Sequence, residues 1–352
     1  MKLPVSSIKP YLNKALVFIN QTKIGINPAF GCLMLVGDKG YVNNGDTGAI
    51  LSLPFTVEEP TVFFPFEMAK VINLTNDAAE VEIKFNYTTL TFEVKTPDIK
   101  IKRQLIPPAI PLPVIPTDLK LVTIEGIYEK IRGSGFATSI DASLEIIQAT
   151  KVHEDCICAT NQIVVWKEKI SSEIPFLIPK LLRENMERLA MEPTGIATND
   201  DSIFIYYPDL IVYATKLAKE ASYPDVRGLF AKVISGAPNK AVVTYDREAL
   251  TQKLRTLLAL PQPETAVRVK CTAGILTVEN YINDSAENKE SADAVISMEV
   301  KCAEDFTNVV VNSEHFMAGV ERFSTFALKE DGKRLLFSNP TQEYCISRRD
   351  VR

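Results

Sequence analysis

The sequence predicts an α+β fold assembled from one recurring unit, an amphipathic helix followed by antiparallel strands. Three observations predict it. One order of elements recurs three times; helix stripes and strand alternation fall at matching places in each copy; and a proline-rich stretch, "PPAIPLPVIP" (107–116), separates the first copy from the rest.

The first copy is "FFPFEMAKVINLT", then "VEIKF", "TLTFEV", Pro97 and "DIKIKRQL". The second is "FLIPKLLRENMERLA", then "GIATN", "SIFIYY", Pro208 and "DLIVYATKL". The third is "VVVNSEHFMAGVERFSTF", then "ALKE", "KRLLFS", Pro340 and "TQEYCIS". Each reads as apolar strand, helix, strand, tight turn, strand and a proline opening a last strand. In the second helix Ile178, Leu182, Met186 and Leu189 form a core stripe, which places Lys180, Arg183 and Glu187 outside. "SIFIYY" and "DIKIKRQL" alternate with the period of a strand. "NDD" (199–201) and "DG" (331–332) are hairpin turns.

A looser copy precedes each of these. "IKPYLNKALVFIN" leads into "GCLMLVG", "GYVNNG" and "AILSLPF"; "IEGIYEKIRGSGF" into "ASLEIIQ", "DCICATN" and "IVVWKEKI"; "YDREALTQKLRTLLAL" into "AVRVKCT", "ILTVENY" and "AVISMEV". Six units paired in order give three domains, at 1–106, 118–232 and 233–352. Proline fixes φ and removes a donor, so 107–117 is neither a helix nor a central strand. It reads as a stiff connector; an extended ligand for an SH3-type groove is the minor alternative.

The chain has 352 residues, 46% hydrophobic and 24% charged, with a net charge of −5. This is globular composition with room for two or three domains. No run of 18 apolar residues and no leader-like start occurs, so a cytoplasmic, non-membrane protein is expected. The six cysteines form no CxxC pair. Cys156 and Cys158 share a strand face and read as small apolar groups, which fits a reducing compartment and no metal site. There are only two histidines, His153 and His315, and no phosphate-loop, dinucleotide, zinc-protease or hydrolase motif. An enzyme and a cofactor are therefore not expected.

Three tandem two-unit domains resemble the bacterial DNA polymerase III beta subunit, the DNA sliding clamp family, in a divergent form suggestive of a phage or mobile element. The points that carry the resemblance are "FLIPKLLRENMERL" (176–189), "SYPDVRGLF" (222–230) and "CICATN" (156–161), in family order and spacing. It implies three DNA-clamp domains forming half of a ring, closed head to tail by a second copy around duplex DNA, with helices lining the hole. The partners implied are duplex DNA, a DNA polymerase, a clamp loader and a second copy of the chain.

Charge fits that implication. The six helix segments (9–20, 65–75, 125–133, 178–190, 246–260, 312–326) hold 12 Lys and Arg against nine Asp and Glu, or +3, which leaves −8 elsewhere. A basic inner wall attracts phosphate without reading bases. The candidate DNA contacts are Lys9, Lys14, Lys23, Lys70, Lys130, Arg132, Lys180, Arg183, Arg188, Lys253, Arg255 and Arg322. By family position the ring contact pairs Ile99 and Ile101 of the edge strand with Leu257 and Leu258. The resemblance further implies a partner-peptide cleft at Thr160, Val165, Pro224, Leu229, Cys345 and Ile346. Pro224 would stiffen a lip and Leu229 supply apolar floor. The family's Thr-Asp-Gly-His-Arg-Leu run stands here as "TNQIVV", and its apolar C-terminus as "CISRRDVR", so an altered preference for acidic peptides is expected. The competing class is a repeated-sheet virion or adhesion protein without DNA binding.

Overall fold

In the computed structural model residues 1–19, 27–106, 112–141, 143–218, 222–234, 236–260, 265–281 and 294–349 are described. The chain begins β1 (Lys2–Pro4), α1 (Val5–Val17), β2 (Leu33–Asn43), β3 (Thr47–Phe63), α2 (Phe66–Leu74), β4 (Glu80–Asn86), β5 (Thr91–Lys95) and β6 (Lys100–Gln104). It continues through α3 (Ile127–Ser134), α4 (Glu145–Gln148), β7 (Thr150–Val152), β8 (Cys156–Thr160), β9 (Val164–Lys169), β10 (Phe176–Ile178), α5 (Lys180–Leu189), β11 (Gly195–Thr198), β12 (Ser202–Tyr207) and β13 (Leu210–Thr215). The last third holds α6 (Val226–Leu229), β14 (Asn239–Thr244), α7 (Arg247–Leu258), β15 (Ala266–Thr272), β16 (Ile275–Asn280), β17 (Val295–Glu299), β18 (Lys301–Cys302), β19 (Phe306–Asn312), α8 (Ser313–Arg322), β20 (Thr325–Lys329), β21 (Arg334–Ser338) and β22 (Gln342–Ser347).

The three strong copies of the repeat are α2–β4–β5–β6, α5–β11–β12–β13 and α8–β20–β21–β22, in the predicted order. Two elements differ from expectation. "ASLEIIQ" is not a strand: its apolar residues lack a period of two, and the segment forms the single turn α4 before the short β7. "GCLMLVG" and "GYVNNG" merge into one strand, β2, with register shifts on either side of Gly37 at φ +58°.

By contacts the chain divides into two compact units, Met1–Arg132 with Phe176–Ala218, and Gly133–Pro175 with Lys219–Arg352. The first unit holds two antiparallel sheets, ordered β1-β4-β5-β6 and β11-β12-β13-β3-β2. Helix α1 faces its core with Val5, Ile8, Leu12 and Ala15, a stripe that runs on through Pro10. At the β3–β13 seam Gly48 lies opposite Tyr213; a Cβ at Gly48 would come within 2.3 Å of the Tyr213 ring, so only glycine admits that strand pairing.

In the second unit one sheet runs β7-β8-β9-β22-β21-β20-β14-β18 and another β17-β16-β15-β19. Helices α7 and α8 are capped by Asp246, which accepts from the Ala249 N–H at 3.0 Å, and Asn312, which accepts from the His315 N–H at 3.0 Å. The inner face of the first sheet packs Trp166, Tyr344, Phe326 and Phe337 into one core with Phe316 of α8. Gly319 lets α8 approach, because a Cβ there would meet the Phe337 ring at 2.8 Å. Among the described residues no helix is long and apolar enough to cross a membrane.

Candidate functional site

Side chains alternate across β8, β9 and β22, and this sorts the predicted cleft residues onto two faces. Thr160 pairs with Val165, and Val165 with Cys345, so these three share the face opposite the aromatic core. On it lies a buried apolar cluster of Cys156, Cys158, Val165, Leu336 and Cys345 from the sheet, with Val226, Phe230 and Ile234 of the covering segment. Cys156 and Cys158 sit with their sulfurs 3.7 Å apart, packed as apolar groups, and burial pushes the Cys345 thiol up to about 12. Ile346, one step on, is fully buried on the other face and does not reach this cluster. That corrects its assignment to the cleft.

The cover is α6 and a single π turn, 230–234. Asp225 caps it by accepting from the Gly228 N–H at 2.8 Å. Its outer end is tied by the Tyr223 hydroxyl, which donates to the Cys158 carbonyl at 3.3 Å, and by Arg227 beside Asp155 at 3.4 Å. Phe230 is fully buried, with the Lys167 ammonium 4.9 Å above its ring; Lys167 in turn pairs with Glu343 at 2.5 Å. Leu229, expected as floor, is instead 37% exposed, and Pro224 is exposed. The residue that this segment buries is Phe230, in a stripe of Val226, Phe230 and Ile234 at a spacing of four. The tail leads away: the Arg348 N–H donates to the Lys333 carbonyl at 2.6 Å and the Arg349 N–H to Val310 of β19 at 2.9 Å.

The turn before β9 is held by its own side chains. Thr160 Oγ1 donates to the Val164 carbonyl at 2.8 Å and accepts from the Gln162 N–H at 3.1 Å. Gln162 occupies the left-handed region at φ +77°.

The helix cations fall into three groups. Several are held by acids: Lys9 by Asp77 at 2.8 Å, Lys14 by Asp209 at 2.7 Å, Lys180 by Glu184 at 4.0 Å, Arg132 by Glu129 at 3.2 Å and Arg255 by Glu321 at 2.9 Å. Others engage neutral groups. Lys253 donates to the Ser297 carbonyl at 2.9 Å and Arg322 lies 3.9 Å over the Phe136 ring, while Lys130 on α3 is half-buried. Lys70 and Arg188 are exposed and, among the described residues, have no ionic partner. Arg183, placed outside by spacing, is 6% exposed and turned toward Glu187 at 3.7 Å. The buried side of α5 is wider than one stripe and takes in Arg183 and Asn185 as well as Leu182 and Met186. Lys23 lies outside the described residues.

Of the four expected ring-contact residues, Ile99 is 38% exposed and Ile101 is partly exposed, on the edge strand β6. Beside β6 a groove is lined by Phe64, Phe66, Phe92, Leu105 and Ile106, with Arg103 paired to Glu67 at its rim. Leu257 is 2% exposed in the core under α7, which corrects its assignment to a surface; Leu258 is half-buried. Among the described residues β17 is one of the edge strands in the last third of the chain, and its residues Val295, Ser297 and Glu299 are exposed.

No family model matches the sequence, and no curated protein matches it. Solved structures do, over the whole chain. The DNA polymerase III subunit beta from Pseudomonas aeruginosa superposes with a TM-score of 0.81 at 13% identity, covering 99% of both chains. The DnaN sliding clamp from Bartonella birtlesii, bound to griselimycin, gives 0.84 at 12% identity, covering 100% of this chain and 99% of that one. The beta subunit from Thermotoga maritima gives 0.81 at 11% identity, again covering 100% and 99%. The chain has the fold of the bacterial DNA polymerase III beta subunit, the DNA sliding clamp.

Proposed function

We propose that this protein is a DNA sliding clamp, a non-catalytic cytoplasmic processivity factor. Two copies close head to tail into a ring around duplex DNA and tether a DNA polymerase, with a clamp loader opening the ring. The observation that carries this reading is the end-to-end match in fold with sliding clamps despite sequence identity of 11–13%. A repeated-sheet coat or adhesion protein has no such match to account for. Each copy contributes three domains, 1–106, 118–232 and 233–352, joined at the first boundary by the proline-rich 107–117.

Two features support the ring. A head-to-tail contact between copies is heterologous and ends only by closing. On the edge strand β6 Lys100 and Arg103 are already paired with Glu93 and Glu67, which leaves Lys102, while the edge strand β17 offers Glu299, so unlike edges with unlike charge are available to pair. Light scattering at micromolar concentration should give twice 39.1 kDa, and a clean monomer would count against the ring.

DNA contact in this reading is sequence-independent, and topology rather than affinity retains the protein. With many helix cations already engaged within the chain, few remain for phosphate, and weak contacts permit sliding. After loading, the protein should stay on nicked circular DNA and run off a linear molecule with free ends. Equal retention on both would remove the mechanism.

The polymerase would be held at the outer-face cluster, beside exposed Leu229 and Pro224. The C-terminal peptide of the polymerase from the same replicon is the probe for this site. Binding that vanishes when the cover segment is altered supports it; binding indifferent to that change places the partner elsewhere.

A further inference from the structure

The turn between β8 and β9 hangs on one side chain. Asn161 Oδ1 accepts from the backbone N–H of Ile163 at 3.0 Å and of Val164 at 2.8 Å. The amide therefore cannot flip without releasing two backbone donors. This directs its Nδ2–H toward α8, where it meets His315 Nε2 at 3.4 Å. A donor that cannot turn away requires an acceptor, so Nε2 carries the lone pair and the ring proton sits on Nδ1. The backbone of His315 makes a second tie, its carbonyl accepting from the Tyr344 hydroxyl at 3.2 Å. Tyr344 precedes Cys345 of the outer-face cluster, and the Ser347 N–H donates to the Ile163 carbonyl at 3.0 Å. One residue of α8 thus touches both the turn that leads into Val165 and the strand β22 that pairs with it.

We propose that His315 is a positioning residue for the peptide cleft: as a neutral acceptor it sets the turn carrying Thr160 and Ile163, and its protonation opposes two donors and loosens that turn. The proposal rests on the cleft reading above for its functional meaning, but its structural half stands on the turn alone.

The surroundings make the proton the variable. Burial holds the His315 pKa below the ordinary 6.5, and Glu314 on the same helix pulls the other way. The first turn of α8 adds to the effect of burial, since helix N-termini disfavour cations. The turn Thr160–Val164 and strand β19 carry no ionisable side chain. On β22, burial raises the Tyr344 phenol so that it stays protonated, and Glu343 is bound by Lys167. On α7, Arg255 is directed to Glu321.

Only His153 titrates in the same range, so the full-length His153→Gln variant leaves a single imidazole to follow by 15N NMR. The expected result is the Nδ1–H tautomer, a midpoint below pH 6.5, and amide signals of Ile163 and Val164 that move with that midpoint. An Nε2–H tautomer, or amides indifferent to the titration, overturns the proposal. In the same background the polymerase C-terminal peptide should lose affinity roughly threefold or more as His315 charges. Adding His315→Gln supplies an uncharged acceptor at every pH, and should keep the affinity of neutral pH while abolishing the loss. A loss that persists in that variant overturns the proposal. A peptide that binds at no pH defeats the cleft reading instead, and the tautomer and amide shifts still decide the role of His315.

Discussion

Lys14 on α1 holds both carboxylate oxygens of Asp209, at 2.8 and 2.7 Å, across 195 positions of sequence. Both side chains are largely covered, at 17% and 28% exposure. Truncating one partner leaves a poorly solvated charge, so Lys14→Ala should destabilise by about 2–3 kcal/mol, between the exposed and fully buried cases. Arg255 and Glu321, at 68% and 35% exposure, are the contrast: Arg255→Ala should change stability by less than about 0.5 kcal/mol. Urea unfolding of both variants checks the difference. Equal effects would mean that burial does not govern these pairs.

The exposed cations give the cleaner test of DNA contact. Lys70 and Arg188 have no ionic partner among the described residues, so reversing them to Glu disturbs no visible pair. Each lost phosphate contact removes about 0.9 from the slope of log affinity against log salt on duplex DNA. The double reversal should therefore flatten the slope by about 2, with the thermal midpoint unchanged. Reversal at Lys14 or Arg183 cannot serve here, because each is already committed to an acid within the chain. An unaltered slope would mean that these helix faces do not meet the phosphates.

Leu229 and Phe230 are neighbours with opposite predicted effects. Leu229 is 37% exposed, so Leu229→Asp should remove peptide binding at little cost to folding. Phe230 is fully buried beneath Lys167, and Phe230→Ala should cost about 3–5 kcal/mol through the cavity it leaves. Peptide titration beside thermal unfolding separates the two outcomes. Full peptide affinity in Leu229→Asp would place the docking surface away from α6.

Short-range periodicity made much of this fold readable. Leu182 and Met186 announce α5, although Ile178, counted in the same stripe, ends β10; the spacing of two in Cys156 and Cys158 announces their common face. Where two signals compete, local periodicity misplaces an element. Pro10 sits near the expected helix start, yet α1 begins at Val5 because its buried stripe extends back past the proline. Resemblance points to Leu229, whereas the stripe in its own segment runs through Val226, Phe230 and Ile234. The charge pattern identified basic helices but not their pairing. Nothing local to α1 reveals Asp209, and nothing local to α5 reveals that Arg183 turns inward. Long-range partners depend on how elements pack, and periodicity within an element carries no record of it.

The ring contact can be tested through backbone chemistry alone. In β6 the Leu105 N–H donates to Leu90, and the Ile99 carbonyl accepts from Thr96, so odd-numbered residues point their polar groups inward to the β5 hairpin. Antiparallel pairing alternates, which turns the N–H and carbonyl of Lys100, Lys102 and Gln104 to the open edge. Lys102→Pro removes one outward donor and leaves the ladder to β5 intact, a substitution that edge strands accommodate. If β6 joins an edge strand of a second copy, the variant should fold normally yet scatter as a 39.1 kDa monomer at concentrations where the parent is dimeric. A monomeric protein should also lose its preference for nicked circles over linear DNA, since an open arc has nothing to hold it. A Lys102→Pro protein that remains dimeric would exclude β6 as the joining edge and leave β17 to pair with some other strand.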